Sequence, residues 1–238
     1  MRPAAPVRMR PVIPQAILFD LDGTLVDSER ENVESVVLAV RRLGAELTES
    51  ERAFVIGHSW NEIHALIAGN HQLAVSMDDL IASAVAEKRA LMIHTGYRAL
   101  PGAVAAVRRL GARSALAVVS GASRAEVGDA LEGIGVIRAM QVWLGAEDYT
   151  RGKPAPDPFQ MAMRRLGVAP EACIAIEDAT PGILSARAAG ARVIAVRAGN
   201  FAGYDLSAAD VVVDTLDDVT DALCERLVSA GGAPDGAR

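Results

Sequence analysis

Residues 16–28 read AILFDLDGTLVDS, and this stretch decides the fold. Its first four residues form a continuous apolar run, which is typical of a strand buried on both faces of a parallel sheet. The run ends at Asp20, and Asp22 and Gly23 follow closely. In an open α/β sheet, ligands bind in the crevice beyond the carboxyl ends of the strands. The stretch therefore predicts an α/β fold with two carboxylates in one loop above the sheet.

Five further short apolar runs follow along the chain. They are SALAVVS (114–120), MQVWLG (140–145), ACIAIED (172–178), RVIAVR (192–197) and DVVVD (210–214). Between most of them, apolar residues return every three or four positions, as in DPFQMAMRRLG (157–167). Alternation of strand and helix implies right-handed crossovers and a sheet covered on both faces. We therefore predict a Rossmann-like, doubly wound parallel sheet.

Residues 29–95 interrupt this alternation, because they contain four helical stretches in succession and no convincing strand between them. We interpret them as an inserted, all-helical cap domain. We predict a flexible N-terminal arm at residues 1–14 and a flexible C-terminal tail at residues 229–238. Between them, the α/β core consists of residues 15–28 and 96–228, and the cap consists of residues 29–95. The two junctions between core and cap are where we expect a hinge.

The composition excludes several classes of protein. The 238 residues are 51% hydrophobic, and the net charge of −6 opposes binding to nucleic acid or to an anionic membrane. Cys173 and Cys224 fit neither a disulfide framework nor a zinc site. No apolar run reaches the ~18 residues that span a bilayer. We expect a cytoplasmic monomer or small homo-oligomer that binds a small molecule.

The residues at the predicted strand ends suit phosphoryl chemistry. Of Asp20 and Asp22, one can attack phosphorus while the other moves a proton. Repulsion between a carboxylate and a phosphate dianion calls for a divalent cation and a fixed positive side chain. Asp20 and Asp178 offer the oxygen ligands that Mg²⁺ prefers. Lys153 offers the positive side chain, and Ser120 offers a hydroxyl to a phosphate oxygen.

These stretches resemble the motifs of the haloacid dehalogenase superfamily, in its phosphatase branch with a helical cap inserted after the first strand. DLDGTLVDSE, the strand before Ser120, GKPAPDPF and IEDATPGILSARAAG stand in the family's order, over about residues 16–220. The resemblance implies that Asp20 is the nucleophile and that Asp22 is the general acid and base. It implies a Mg²⁺-dependent phosphatase that forms an aspartyl-phosphate.

The resemblance also implies the remaining ligands. Mg²⁺ is expected to bind Asp20, Asp178 and the backbone carbonyl of Asp22, with Glu177 as an outer or water-mediated partner. The phosphate-binding residues are expected to be Ser120, Gly121 and Lys153. A cap that closes over the crevice must recognise the rest of the substrate. Candidate contacts of that kind are His58, Trp60 and Asn61 in GHSWNE (57–62), which is predicted to be a loop between two helices, Lys88 and Arg89 on a later helix, and Arg124.

Other functions stay open at this point. A phosphomutase similar to β-phosphoglucomutase shares all four motifs. Two features differ from that branch: Arg30 stands where Pro usually follows DSE, and the stretch AEDYTRGKP resembles sugar and polyol phosphatases more closely. A catalytically silent binding module would have lost at least one reactive group, and none is lost. Asp22 argues against a dehalogenase and against a phosphonatase. The favoured substrate is a small phosphate ester such as a sugar or polyol phosphate.

Overall fold

The computed structural model describes residues 12–56, 58, 60–200 and 203–230. In that part of the chain the strands are β1 (Ala16–Phe19), β2 (Val26–Asp27), β3 (Arg98–Ala99), β4 (Ala115–Val119), β5 (Val142–Leu144), β6 (Cys173–Glu177), β7 (Arg192–Val196) and β8 (Val211–Val213). The helices are α1 (Glu29–Arg42), α2 (Glu49–Val55), α3 (Trp60–His71), α4 (Met77–Thr95), α5 (Ala103–Gly111), α6 (Arg124–Gly133), α7 (Asp157–Leu166), α8 (Thr180–Ala188) and α9 (Asp221–Ala230). Most of the predicted arm and tail lies outside the described residues.

Six of the strands form one parallel sheet in the order β5-β4-β1-β6-β7-β8. β1 lies inside the sheet, where Phe19 is the register partner of Val118 in β4 and of Ile176 in β6. The chain runs from β1 outward to β4 and β5, and then crosses back to β6 on the other side of β1. Such a switch point is where open α/β sheets bind ligands. The predicted doubly wound parallel sheet is confirmed.

Helices cover both faces of this sheet. Ile17 and Phe19 of β1 belong to an apolar cluster that includes residues of α5, α6 and α9. Ala16 and Leu18 belong to a second cluster, which includes residues of α7 and α8. All four residues of β1 are fully buried. Full burial of a large apolar side chain contributes ~1.5–3 kcal/mol, so β1 is firmly packed. The loop that follows β1 therefore starts from a fixed position.

Helices α1 to α4 lie in succession between β2 and β3, as the interrupted pattern predicts. They share an apolar cluster of their own, which includes Val36 and Val40 of α1, Ile67 of α3 and Leu80 of α4. A separate core of this kind is what an inserted cap requires. The domain boundaries themselves stay a prediction. Within the described residues, no helix combines the length and the apolar character needed to cross a membrane.

The two junctions between the sheet and the helical insertion pair with each other. β2 and β3 form an antiparallel ribbon in which Val26 is opposite Ala99 and Asp27 is opposite Arg98. The Arg98 guanidinium also donates to the buried carboxylate of Glu31 at 3.2 Å. The sequence does not predict this ribbon, because two-residue strands are too short to show an alternating pattern. The ribbon brings the start of α1 and the end of α4 to one place.

Candidate active site

Three buried carboxylates meet above the C-terminal ends of β1 and β6. One oxygen from each of Asp20, Glu177 and Asp178 lies within 4.8 Å of the others. These residues are only 9%, 1% and 7% exposed, respectively. The parallel register of β1 and β6 brings them together. Phe19 and Ile176 are register partners, and Asp20 directly follows the first while Glu177 directly follows the second. Oxygen ligands in such a group are those that Mg²⁺ prefers.

The charges of this group are not balanced by the protein alone. Burial raises the pKa of Asp20 to about 8, although Lys153 opposes the shift. Burial, together with the charges of Asp20 and Glu177, raises the pKa of Asp178 to about 9. Burial thus disfavours the ionised carboxylates more than the single ammonium of Lys153 favours them, and further positive charge would offset this. A divalent cation would supply that charge, so the residues present fit a metal ion of the Mg²⁺ class.

Lys153 supplies the fixed positive charge of the site. Its Nζ donates to Oδ1 of Asp20 at 2.5 Å, to Oε1 of Glu177 at 2.6 Å and to the Val119 carbonyl at 2.9 Å. Burial lowers the pKa of Lys153, but the two carboxylates outweigh burial and the pKa lies above its ordinary value. Lys153 therefore stays protonated, and its ammonium lies beside Asp20.

Asp22 lies in the loop after β1 and is paired with the helical insertion. Its Oδ1 accepts a hydrogen bond from Nζ of Lys88 in α4 at 2.8 Å, and a short one from the Ser28 hydroxyl. Burial opposes ionisation, but Lys88 and Ser28 hold the pKa of Asp22 below its ordinary value. The sequence predicts Lys88 as a substrate contact and does not reveal this ion pair. Lys88 thus joins α4 to the loop after β1.

The loop after β4 contains Ser120 and Gly121, and both residues line the same cavity as Asp20. The Ser120 hydroxyl accepts from the Ala122 N–H at 3.1 Å. The Tyr149 hydroxyl donates to the Ser120 carbonyl at 2.7 Å. The sequence does not reveal this role of Tyr149, although the residue lies in the AEDYTRGKP stretch that precedes Lys153. Tyr149 fixes the backbone at the point where the predicted phosphate-binding groups begin.

Two glycines allow the chain to pass close to the acidic group. Gly23 has a positive φ of 81°, and a side chain there would overlap the carboxylate of Asp178. At Gly182, in the first turn of α8, an added Cβ would overlap the Glu177 carboxylate. Thr24 donates to Oδ1 of Asp178 at 3.1 Å and orients it. These residues belong to the motif stretches, but the sequence does not show what each one contacts.

A cavity of about 560 Å³ connects these groups with the helical insertion. Asp20, Asp22 and Lys153 line its sheet side, and Trp60 and Lys88 line its cap side. The volume lies within the ~300–1,000 Å³ range of small-molecule sites. The arrangement therefore places two carboxylates and an ammonium around a space of metabolite size.

The candidate substrate contacts divide into two sets. His58, Trp60 and Lys88 line the cavity, and the His58 ring stacks on Phe54 with centroids 3.6 Å apart. Asn61 is exposed and is not among the lining residues. GHSWNE is expected to be a loop, but α3 begins at Trp60, so its second half is helical. Gly57 and Ser59 of that stretch lie outside the described residues.

The two arginines among the candidates lie away from the lining of this cavity in the described structure. Arg89 points its guanidinium to Asp129, at 3.9 Å. Arg124 forms an ion pair with Asp148 at 3.1 Å, and its guanidinium carbon lies 5.8 Å from the Trp143 ring centroid. Both guanidiniums thus already have partners. A role for either arginine in binding substrate stays a prediction.

Comparison with known proteins identifies the family. A model described as haloacid dehalogenase-like hydrolase matches residues 17–196. Hexitol phosphatase A of Escherichia coli (strain K12) is 35% identical, covering 87% of this chain and 93% of its own. Validoxylamine A 7'-phosphate phosphatase of Streptomyces hygroscopicus subsp. limoneus is 33% identical, covering 85% and 94%. The crystal structure of CbbY from Rhodobacter sphaeroides in complex with phosphate has the same fold, with a TM-score of 0.74 at 24% identity over 87% of this chain and 96% of that one. The resemblance seen in the motifs is confirmed, and the chain belongs to the haloacid dehalogenase-like hydrolase family.

Proposed function

We propose that this chain is a Mg²⁺-dependent phosphatase that hydrolyses a small sugar or polyol phosphate through an aspartyl-phosphate on Asp20. The coarser activity, a phosphoric monoester hydrolase of the haloacid dehalogenase type, follows from the family and from relatives that are phosphatases. The observation that supports the finer proposal is the position of the Lys153 ammonium between Asp20 and Glu177, with Asp178 beside them.

The residues of the acidic group would hold the metal. Asp20, Asp178 and the backbone carbonyl of Asp22 are the proposed ligands, with Glu177 as an outer partner. When bound, Mg²⁺ neutralises negative charge on the phosphoryl group and on the carboxylates. Lys153 lowers the remaining repulsion between Asp20 and the phosphate, because its ammonium lies against the attacking carboxylate.

The reaction then proceeds in two displacements at phosphorus. In the first, an Asp20 oxygen bonds to phosphorus while the ester P–O bond breaks, and Asp22 gives a proton to the departing alkoxide. In the second, Asp22 takes a proton from water, whose oxygen bonds to phosphorus as the bond to Asp20 breaks. Inorganic phosphate leaves and both carboxylates are restored. The ion pair with Lys88 favours the ionised form of Asp22, so it assists the second displacement. The first displacement begins from protonated Asp22, and the proton taken from water regenerates that form.

The rival functions have less support. A phosphomutase needs a second phosphate contact from the cap, but Lys88 is paired with Asp22, and the Arg89 guanidinium points to Asp129. A silent binding module has no need to gather a nucleophile, a lysine and an acidic group at one point. We also propose that the protein is cytoplasmic and is a monomer or a small homo-oligomer. The free thiols of Cys173 and Cys224, both buried, are compatible with a reducing compartment.

The test is a phosphate-release screen over phosphorylated metabolites, with Mg²⁺ and with EDTA, comparing kcat/KM. We expect the highest values for sugar or polyol monophosphates and loss of activity in EDTA. Asp20→Asn protein is the matched control and should lose several orders of magnitude in kcat, since a carboxamide is a poor nucleophile. Absence of phosphate release from every ester, or formation of an isomeric sugar phosphate in place of inorganic phosphate, contradicts the proposal.

A further inference from the structure

The cavity above the sheet has a wall on the side of the helical insertion. We call this the cap wall, and it consists of the cavity-lining residues between positions 29 and 88. Apolar side chains make up the larger part of it, among them Trp60, Ile63 and Val85, and Asn32 adds a neutral amide. A wall of this kind suits a leaving group that presents C–H faces and a few hydroxyls.

The positive charge in the cavity lining is already paired. Among the described residues, the lysines that line the cavity are Lys88 and Lys153, and no arginine lines it. Nζ of Lys88 lies 2.8 Å from Oδ1 of Asp22. Nζ of Lys153 lies 2.5 Å from Asp20 and 2.6 Å from Glu177. In the described structure, both lysines therefore already form ion pairs with carboxylates of the protein, and neither is left to bind a second phosphate or a carboxylate of the substrate.

Negative charge on the cavity lining is not balanced in the same way. Glu29, the first residue of α1, belongs to the cap wall and is half-buried. Among the described residues its carboxylate has no hydrogen bond or ion pair, although the positive charge of Lys88 acts on it. Glu126 of α6 also lines the cavity, and among the described residues its carboxylate accepts hydrogen bonds from the Ser123 backbone and hydroxyl, while the charge of Lys88 acts on it at longer range. Like charges in a partly desolvated space repel strongly, so an anionic leaving group is disfavoured there.

We propose that the cap wall selects a phosphomonoester whose leaving group is an uncharged polyhydroxy compound, and that Glu29 rejects a leaving group with a second anion. The inference rests on the proposed phosphatase function and narrows its substrate class. Neutral polyol and sugar monophosphates are substrates of this class. Sugar bisphosphates and phosphorylated carboxylic acids are excluded from it.

Substrate pairs in which a neutral hydroxymethyl group is replaced by a carboxylate test this inference. Glucitol 6-phosphate and 6-phosphogluconate differ by a hydroxymethyl group against a carboxylate, and glycerol phosphate and phosphoglycerate form a shorter pair. With Mg²⁺ and at constant ionic strength, we expect kcat/KM for the neutral member to be at least about tenfold higher. Glu29→Gln should reduce that ratio at least about threefold by favouring the anionic member. Glu49→Gln, on the exposed surface of α2, is the matched control and should leave the ratio unchanged.

The possible outcomes distinguish failure of this inference from failure of the proposed phosphatase function. Equal efficiency for the two members, or preference for the anionic one, overturns the inference and leaves the phosphatase function standing. An unchanged ratio in Glu29→Gln overturns the role of Glu29, and Glu29→Ala provides a second variant if the first fails to fold. Absence of phosphate release from both pairs and from the wider screen overturns the proposed function itself.

Discussion

The Tyr149→Phe variant tests whether the Tyr149 hydroxyl positions the loop after β4, which we propose binds phosphate. The Tyr149 hydroxyl donates to the Ser120 carbonyl at 2.7 Å, and Tyr149 is half-buried. Phenylalanine keeps the ring and removes only the donor. The Ser120 carbonyl then loses this hydrogen bond, and we expect the loop whose Ser120 hydroxyl and Gly121 backbone are proposed to bind phosphate to become less ordered.

The size of the effect follows from this one contact. A hydrogen bond of this type contributes ~0.5–1.5 kcal/mol net, and more when a buried carbonyl is left unsatisfied. Since ~1.4 kcal/mol corresponds to tenfold in affinity, we expect phosphate to bind ~3- to 10-fold more weakly. A larger loss is not expected, because Lys153 still holds the Val119 carbonyl at 2.9 Å.

The assay is competitive inhibition by inorganic phosphate, together with KM, kcat and thermal unfolding of the variant. We expect the inhibition constant and KM to rise together. Tyr97→Phe is the matched control, because Tyr97 packs against the apolar cluster that includes Ile17 and Phe19. An unchanged inhibition constant in Tyr149→Phe, with only a lower melting temperature, would refute a positioning role and leave a purely structural one.

Three further predictions follow from the acidic group. Lys153→Met leaves Asp20 and Glu177 buried without their ammonium, so urea unfolding of the metal-free protein should show a loss of ~3–5 kcal/mol, and activity should disappear. The pKa values of Asp20 and Asp178 are raised from 3.8 to about 8 and about 9, so their contribution to stability is complete below the unfolded value and is lost as pH rises through 8 to 9. The melting temperature in EDTA should therefore fall between pH 6 and pH 9, and stabilisation by Mg²⁺ should grow over the same range. Gly182→Ala places a methyl group on the Glu177 carboxylate and should lower the unfolding free energy by ~1–3 kcal/mol, as measured in urea.

Each of these has an outcome that contradicts it. Wild-type stability of metal-free Lys153→Met shows that the ammonium does not offset the carboxylates. A flat melting temperature in EDTA, or a Mg²⁺ effect that is the same at pH 6 and pH 9, shows that the carboxylates are not held in their neutral forms. Gly69→Ala is the control for Gly182→Ala, since nothing lies within 4 Å of an added Cβ at that exposed position of α3. Equal effects of the two substitutions would show that the Glu177 contact is unimportant.

The parallel sheet is predictable from the sequence because its strands bury both faces. All residues of β1 and β6 are buried, and this is what turns their sequences into continuous apolar runs. Once the runs are placed in a parallel sheet, the polar residues that end them must lie at one edge. The meeting of Asp20 with Glu177 follows from that register, although the two are far apart in sequence.

The contacts that orient the site are not predictable in the same way. The pairing of Lys88 with Asp22 joins side chains 66 positions apart. The Tyr149 hydroxyl donates to a backbone carbonyl, that of Ser120, 29 positions away. A helical pattern indicates which face of α4 is apolar, but not which charged side chain reaches a loop of the sheet. The start of α3 at Trp60 is a similar case, because polar residues in the first turn of a helix resemble a loop.

The stereochemical course at phosphorus tests the proposed nucleophilic role of Asp20 most directly. Each in-line displacement inverts the configuration, so transfer to Asp20 followed by transfer to water returns the original one. With a thiophosphate ester made chiral by two oxygen isotopes and water that carries the third isotope, we predict net retention in the released thiophosphate. Net inversion would mean that water attacks the substrate in a single step, and Asp20 would then not be the nucleophile.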